Sequence, residues 1–485
     1  MIAVDGQDPS GLNVGTNLHP VNIMDNTARK AGVVIDIVTI ATSGLGNRSY
    51  LVSDGVAAAA IDPPRDIDRV LAVLDDRGWS LELVLETHVH NDYVSGALEL
   101  SQRTGATYVL AAEEDVTFDR RPVGDNDEVA AGTLRFTALH TPGHTPSHLS
   151  YVLHEAGRPV AVFTGGSLLY GTVGRTDLVA ADLTERLTRS QYHSAHRLAS
   201  ELPPGVAVYP THGFGSFCAS GSASDIDAST IADERRGNTA LTTDDEDAFV
   251  ESMISGLGAY PRYYAHMAPI NRAGPAPVDL EPAQPVTPER LRARIHAGDW
   301  VVDVRNRIAF AGEHLTGTVN IELDDSLATY LGWTMPWGTP VTLVGDTAEE
   351  VADAQRMIAR IGIDRPAGQA TGGPDAYAGG DVRRYEVSDF AGLAKALSNG
   401  DAHVLDVRRD EEWADGHVDG AQHIPLPDVA QRVDAVPDDG PVWVHCASGY
   451  RAAIAASLLD RAARSVVLIS DDWERASAAG VPVVD

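Results

Sequence analysis

Residues 81–93 read Leu-Glu-Leu-Val-Leu-Glu-Thr-His-Val-His-Asn-Asp-Tyr. A β-type run ends here in a histidine-rich turn. Side chains alternate along extended backbone, so His88 and His90, separated by Val89, point the same way. Two such imidazoles make half of a divalent-metal site. The arrangement recurs downstream. Thr141-Pro142-Gly143-His144 follows the run LRFTALH, and Pro210-Thr211-His212-Gly213 follows VAVY. Between them lies VFTGGSLLYGTVGRTDL, from Val162. Histidines placed just after separate β-runs predict one convergent site at the edge of an α/β sandwich. His88, His90, His144 and His212, with Asp92 close by in sequence, are the side chains such a divalent-metal site could draw on.

Near the other end, residues 442–451 read VWVHCASGYR and run into AAIAASLLDRAA. A cysteine between a strand and a helix start sits where backbone N–H groups converge and the helix dipole is positive. That setting favours thiolate over thiol. Cys446 is therefore the candidate nucleophile. Ala447, Ser448, Gly449 and Tyr450 form its loop, and Arg451 either closes the loop or faces an anionic substrate. Cys218, six residues after His212, is expected to be a small buried hydrophobe rather than a sulfur relay.

Two stretches of the C-terminal half repeat each other. VVDVRNRIAFAGEHLTGTVNIEL begins at Val301 and VLDVRRDEEWADGHVDGAQHIPL at Val404. Eleven residues separate Asp303 from His314 and Asp406 from His417. A second β-run follows each, PVTLVG from Pro340 and PVWVHC from Pro441, and then a helix. Aligning the prolines sets Gly345 against Cys446 and Glu350 against Arg451, so the first copy lacks the nucleophile and reverses a charge. Prolines crowd residues 261–288, which reads as an extended linker, and 366–380 is a second break rich in Gly, Ala and Pro. The expected units are 33–260, 285–365 and 384–485, with residues 1–32 as a tail or covering arm.

The 485 residues carry 37 Lys+Arg against 69 Asp+Glu, a net charge of −32. Such a surface repels phosphate backbones and anionic lipid, so nucleic-acid and membrane partners are not expected. Two cysteines make no disulfide framework, no secretory signal is evident, and a cytoplasmic location is expected. A homo-oligomer is left open.

The motifs THVHND, TPGHT, GRTDL and THG, in that order, resemble the metallo-β-lactamase fold, and within it the persulfide dioxygenase and glyoxalase-II-like branch. The DVR strand end, GHVDGAQHIP and the C-x4-R loop resemble rhodanese sulfurtransferases, whose cysteine carries sulfur as a persulfide. Their phosphatase relatives have a loop one residue longer. The resemblance implies an α/β protein: an αββα metallo-β-lactamase sandwich, then a degenerate and an intact rhodanese-like domain. It implies metal-dependent oxidation of a low-molecular-weight persulfide to sulfite, coupled to thiosulfate formation. The alternative is a sulfurtransferase whose first domain is a zinc thioester hydrolase or an inactive scaffold. Partners are then a small thiol or persulfide and sulfite or thiosulfate. Arg175 matches a position that holds a thiol cosubstrate's carboxylate, or else pairs with Asp177. Two departures stand out. Tyr93 replaces the last histidine of the superfamily's motif, and Gly166 replaces the metal-binding aspartate. The resemblance then implies three readings: one divalent ion, Fe(II) or Zn(II), on His88, His90 and His144, the three-histidine half of the superfamily site, with Asp92 and His212 nearby; Asp92 supplying the carboxylate; or no metal.

Overall fold

The computed structural model describes residues 23–27, 35–221, 226–400 and 402–484. Most of the expected N-terminal arm, 1–22 and 28–32, lies outside the described residues; its segment Ile23–Thr27 is a strand that pairs antiparallel with Asp36–Thr42.

The N-terminal half is built on two mixed sheets. The first orders Ile23–Thr27, Asp36–Thr42, Asn47–Ser53, Ala57–Ile61, Ser80–Leu85, Thr107–Ala111 and Arg121–Val123. The second orders Ser229–Thr230, Ala207–Pro210, Arg158–Gly165, Leu149–Glu155, Leu134–His140 and Glu128–Ala131. The alternation of apolar residues explains the layering. Ala57, Ala59 and Ile61 face Phe136, Tyr151 and Phe163 across the inner core. Ala58 and Ala60 face outward, onto helices Asp68–Arg77 and Ala97–Thr104. Helix Thr184–Glu201 covers the far side of the second sheet through Ala195 and Leu198. Parallel pairing runs from Ala161↔Ala207 to Gly165↔Pro210, so Gly166 and Thr211–His212 emerge side by side. Each histidine-bearing turn leaves the carboxyl end of a strand at this one edge.

The stretch 261–288 is not an extended linker throughout. Tyr264–Ala273 is a helix with Pro269 inside it, because Tyr264, Met267, Ala268 and Asn271 bury one face and packing outweighs the hydrogen bond that proline removes. Pro288 opens the next helix, at a position where its missing N–H costs nothing.

Two parallel sheets follow. The middle one orders Val319–Asn320, Trp300–Asp303, Val341–Val344 and Gly368–Ala370. The Gly/Ala-rich stretch 366–380 thus supplies its last strand, and then the helix Gly373–Tyr377. The last sheet orders Gln422–His423, His403–Asp406, Val442–His445, Val466–Ile469 and Glu386–Ser388. The shared four strands take the same order in both. The two units bury one continuous core, in which Val302, Leu343 and Ile358 join Leu405, Val444 and Leu459. The helix Tyr450–Arg461 is sandwiched between them, and Ser457 Oγ accepts the Asn320 N–H at 3.0 Å. Ion pairs bind the middle unit to the first domain: Arg65 with Asp364, and Arg360 with Asp66, both at 2.8 Å. No helix among the described residues is long and apolar enough to cross a membrane.

Candidate active sites

The four histidines of the turns converge in a fully buried cluster. Ring centroids lie 4.2 Å apart for His88–His90, 4.8 Å for His88–His144 and 5.2 Å for His144–His212. Three of the four rings are fixed through their outer nitrogen. His88 Nδ1 donates to Thr87 Oγ1 (2.8 Å), whose hydroxyl is committed to Asp62 Oδ2. His144 Nδ1 donates to the Arg175 carbonyl (2.7 Å), and His212 Nδ1 to Asn47 Oδ1 (2.9 Å). This is how metal-binding imidazoles are oriented, with Nε2 lone pairs turned inward. His88 Nε2 and His212 Nε2 stand 3.3 Å apart with no proton left to share. That separation is close to the edge of a tetrahedron with bonds of ~2.0–2.1 Å. His90 has no hydrogen-bond partner on either nitrogen, and neither His144 Nε2 nor Asp92 Oδ1 has one. Orphaned, buried acceptors around one point fit a cation. Burial and the neighbouring imidazoles push His144 and His212 down to about 3 and His88 well below its usual value, so these rings are neutral ligands. Burial pushes His90 the same way, but Asp62, 3.5 Å off, outweighs it and raises its pKa.

The donor atoms group as His88, His90 and His212, and as His144, His212 and Cys218. His212, expected beside the site, is therefore shared by both groups, and His144 stands apart from the expected trio with His88 and His90. The reason is Gly166. A Cβ there would lie 2.3 Å from His144 Cδ2, so the His144 ring fills the space in which a side chain at 166 would begin. A carboxylate at 166 and this placement of His144 exclude each other. Cys218 is buried, as expected of a small hydrophobe, but its sulfur belongs to the cluster. Asp92 Oδ2 accepts from Asn47 Nδ2 at 2.7 Å, leaving Oδ1 free to face a cation. His148 is buried and satisfied: Nε2 accepts the Gly166 N–H and Nδ1 bonds Thr141 Oγ1, both at 3.0 Å.

Several residues that build this site were not singled out from the sequence. Asp62, buried at φ 48°, accepts from the Thr87 N–H (2.8 Å) and from Thr211 Oγ1, tying two histidine turns together. Asn271, in the supposed linker, donates to the His90 and Tyr93 carbonyls, each at 2.9 Å. Tyr93, in the place of the missing histidine, lays its ring on His90 (4.3 Å) and donates to the Asp62 carbonyl (3.2 Å). Arg175 lines an open cavity of about 1020 Å³ and is paired there with Asp177. Its Nε and Nη2 clamp Asp177 (2.7 and 2.8 Å), and it also donates to the Phe217 and Gly258 carbonyls.

In the C-terminal unit Cys446 is buried, and its Sγ accepts the Gly449 N–H at 3.2 Å. Gly449 has φ 93°, and a Cβ there would meet Ser470 Cα at 3.0 Å, so the turn needs glycine. Ala447 is held through its carbonyl, which accepts the Trp473 N–H at 2.8 Å. Ser448 has no side-chain bond among the described residues, and Tyr450 donates its hydroxyl to the Glu322 carbonyl of the middle unit at 2.9 Å. Arg451 neither closes the loop through its carbonyls nor stands free. Both its terminal nitrogens grip the half-buried Glu412 carboxylate, one at 2.7 Å. Burial raises the Glu412 carboxyl, but Arg451 and Arg409 outweigh that and hold it down at about 2.

Comparison with known proteins accords with this geometry. Residues 45–212 match the metallo-beta-lactamase superfamily, and residues 390–479 match the rhodanese-like domain. A probable metallo-hydrolase of Burkholderia pseudomallei is 34% identical over 202 residues, 36% of this chain and 65% of that protein. A hydroxyacylglutathione hydrolase of Ectopseudomonas mendocina is 34% identical over 168 residues, 34% of this chain and 61% of that protein. The chain thus spans less than two thirds of the length of these relatives. A crystal structure of a metallo-beta-lactamase from Staphylococcus aureus subsp. aureus COL superposes with a TM-score of 0.63 at 28% identity, covering 70% of this chain and 99% of that one. The chain is a mixed α/β protein that carries an N-terminal metallo-β-lactamase fold and a C-terminal rhodanese-like domain.

Proposed function

We propose that this enzyme oxidises a low-molecular-weight persulfide to sulfite at the histidine cluster and makes thiosulfate at Cys446. The observation that carries the reading is the Cys446 cradle: a sulfur at the mouth of a twelve-residue helix, accepting a loop N–H. In the first step one persulfide, one dioxygen and one water give one thiol, one sulfite and two protons. In the second, Cys446 thiolate takes the outer sulfur of another persulfide, releasing its thiol. Sulfite then attacks that sulfur, the S–S bond to Cys446 breaks, and thiosulfate leaves with the thiolate restored.

His88, His90 and His212, with His144, Asp92 Oδ1 and Cys218 within the same buried cluster, are the residues that would hold a divalent ion. Bound there, Fe(II) supplies the redox chemistry and Zn(II) a Lewis acid. The chain's own contribution is orientation. Thr87, Asn47 and the Arg175 carbonyl set the tautomers, and burial excludes water. Middle-unit Glu322 fixes the Tyr450 ring beside the sulfur loop.

A second reading is a zinc hydrolase fused to a sulfurtransferase. Gly166 in place of an anionic ligand and the hydrolase relatives favour it. Protein loaded with Fe(II) or Zn(II) and given a persulfide in an oxygen electrode separates the two. The expected result is oxygen uptake with sulfite release in the iron form alone. Thiosulfate should follow in the wild type and be lost by at least ~10³-fold in Cys446→Ser. Iron-loaded protein that takes up no oxygen, or thioester cleavage confined to the zinc form, overturns the first reading.

A further inference from the structure

A cavity of about 950 Å³ opens in the C-terminal unit at the edge opposite the sulfur loop. Pro441 and Trp443 line it, at the amino end of the strand whose carboxyl end delivers Cys446. At ~3.3 Å per residue the two ends are roughly 16 Å apart. In a chain with net charge −32 and only two lysines, this cavity collects four cations: Arg383, Arg384, Lys395 and Arg464. They come from the segment before the sheet, the helix Phe390–Asn399 and the turn after Tyr450–Arg461.

The carboxylates present do not neutralise them. Glu386 and Asp460 also line the cavity. Asp460 is already shared between Arg383 (3.2 Å) and His314 (3.1 Å). Arg464 has two loose contacts, with the exposed Asp438 and with the Val433 carbonyl, both at 3.4 Å, and its buried Nε has no partner. Arg384 and Lys395 make no side-chain ion pair among the described residues. Trp443 is 8% exposed, and its indole N–H also lacks an acceptor. Unpaired donors beside clustered cations form a site that wants acceptor oxygens.

We infer that this cavity binds a small polyanion bearing two or more phosphate groups. A single oxyanion is too small to reach cations carried on three separate elements, and the volume accommodates a ligand of nucleotide size. The site lies away from Cys446, so its ligand does not compete with sulfur donors.

Calorimetry on the full chain with pyrophosphate tests this, with ADP as a second arm. The expected result is saturable binding that weakens with added salt. It should survive in Cys446→Ser and fall at least ~10-fold in the double variant Arg384→Glu/Lys395→Glu. Both substituted side chains are exposed, and circular dichroism checks that the variant is folded. Tighter binding of ADP than of pyrophosphate assigns the nucleoside to the Trp443 side, and equal affinities assign recognition to the phosphates alone. No saturation at millimolar pyrophosphate, or binding that the double variant leaves intact, overturns the assignment.

Discussion

The two parallel α/β units are built on the same frame and part company at one loop. In each, the first of the four shared strands, Trp300–Asp303 or His403–Asp406, ends in a buried aspartate that clamps the arginine two residues on. Asp303 and Arg305 meet at 2.8 Å, and Asp406 and Arg408 at 2.7 Å. Each arginine then donates to a carbonyl eight residues ahead, Glu313 or Gly416. A histidine stacks on an aromatic ring four residues behind it in both, His314 on Phe310 and His417 on Trp413. The loops differ. In the middle unit Glu350 turns its carboxylate back onto the Asp346 and Thr347 N–H groups, at 2.9 and 3.1 Å. A fixed anion thus occupies the donors that an anionic ligand would need. In the C-terminal unit Arg451 takes that position and is drawn off to Glu412, and a loop N–H goes to Cys446 Sγ. Absence of the cysteine and self-plugging of the cradle go together, while the frame survives because it packs against the C-terminal unit.

If the frame is equally important in both copies, breaking it should cost the same twice. Asp406→Asn and Asp303→Asn each leave a buried guanidinium without its counter-charge, which costs about 3–5 kcal/mol. Chemical unfolding followed by tryptophan fluorescence should show losses of similar size. Because the cores are continuous, Asp303→Asn should also lower sulfur transfer at Cys446. A middle-unit variant that is destabilised yet leaves the C-terminal activity untouched separates the two units.

The plug itself can be transplanted. Arg451→Glu sets a carboxylate at the helix start next to Cys446, as in the middle unit, and the like charge of Glu412, already paired with Arg409, turns it away from its old partner. Sulfur transfer from thiosulfate to cyanide should fall roughly 100-fold in kcat/KM, or ~2.7 kcal/mol. Arg451→Gln, which removes the charge without supplying an anion, should lose less. Equal losses in the two variants would mean that the arginine's own charge, not the absence of a plug, is what matters.

Acid should separate the copies as well. Glu412 has its carboxyl lowered to about 2 by the guanidinium groups of Arg451 and Arg409, which outweigh its burial. A depressed carboxyl gives stability that is complete above its unfolded value and is lost as pH falls through the folded one. After allowance for its partial exposure, about 2 kcal/mol is at stake between pH ~4.5 and ~2. Thermal unfolding of wild type and Glu412→Gln should differ most near neutrality and converge only as pH falls to ~2. A gap that persists at pH 2 assigns the effect of Glu412 to packing.

The frame and the positions of His88, His90, His144, His212 and Cys446 were legible because strand ends, turns and spacing are local. The partners of those residues were not. Asn271 reaches the histidine turn from a proline-rich stretch that reads as linker, and only tertiary packing makes it a helix. Glu412 stands among Asp410 and Glu411, and nothing local marks it as the one that meets Arg451. Gly166 reads as a missing ligand, yet its role is steric, since it gives up its space to the His144 ring. A lost residue type is visible in a sequence; what moves into its place is not.

The smallest effect asks whether the plug does anything for the unit that keeps it. Glu350 and Thr347 form a reciprocal capping box at the start of Ala348–Ala359, with Thr347 Oγ1 accepting the Glu350 N–H at 3.2 Å. Removing the carboxylate by Glu350→Ala frees two backbone donors that are exposed enough for water to replace most of the loss, so the cost should be about 1 kcal/mol. Hydrogen exchange at Asp346 and Thr347 should speed up accordingly, while sulfur transfer at Cys446 stays within twofold. The Glu350→Ala loop should also gain weak, salt-sensitive affinity for sulfate, because its freed N–H groups again face a helix start. If protection there is unchanged, Glu350 does not hold the loop. The closed cradle of the middle unit would then owe its shape to the shared core and not to the anion it carries.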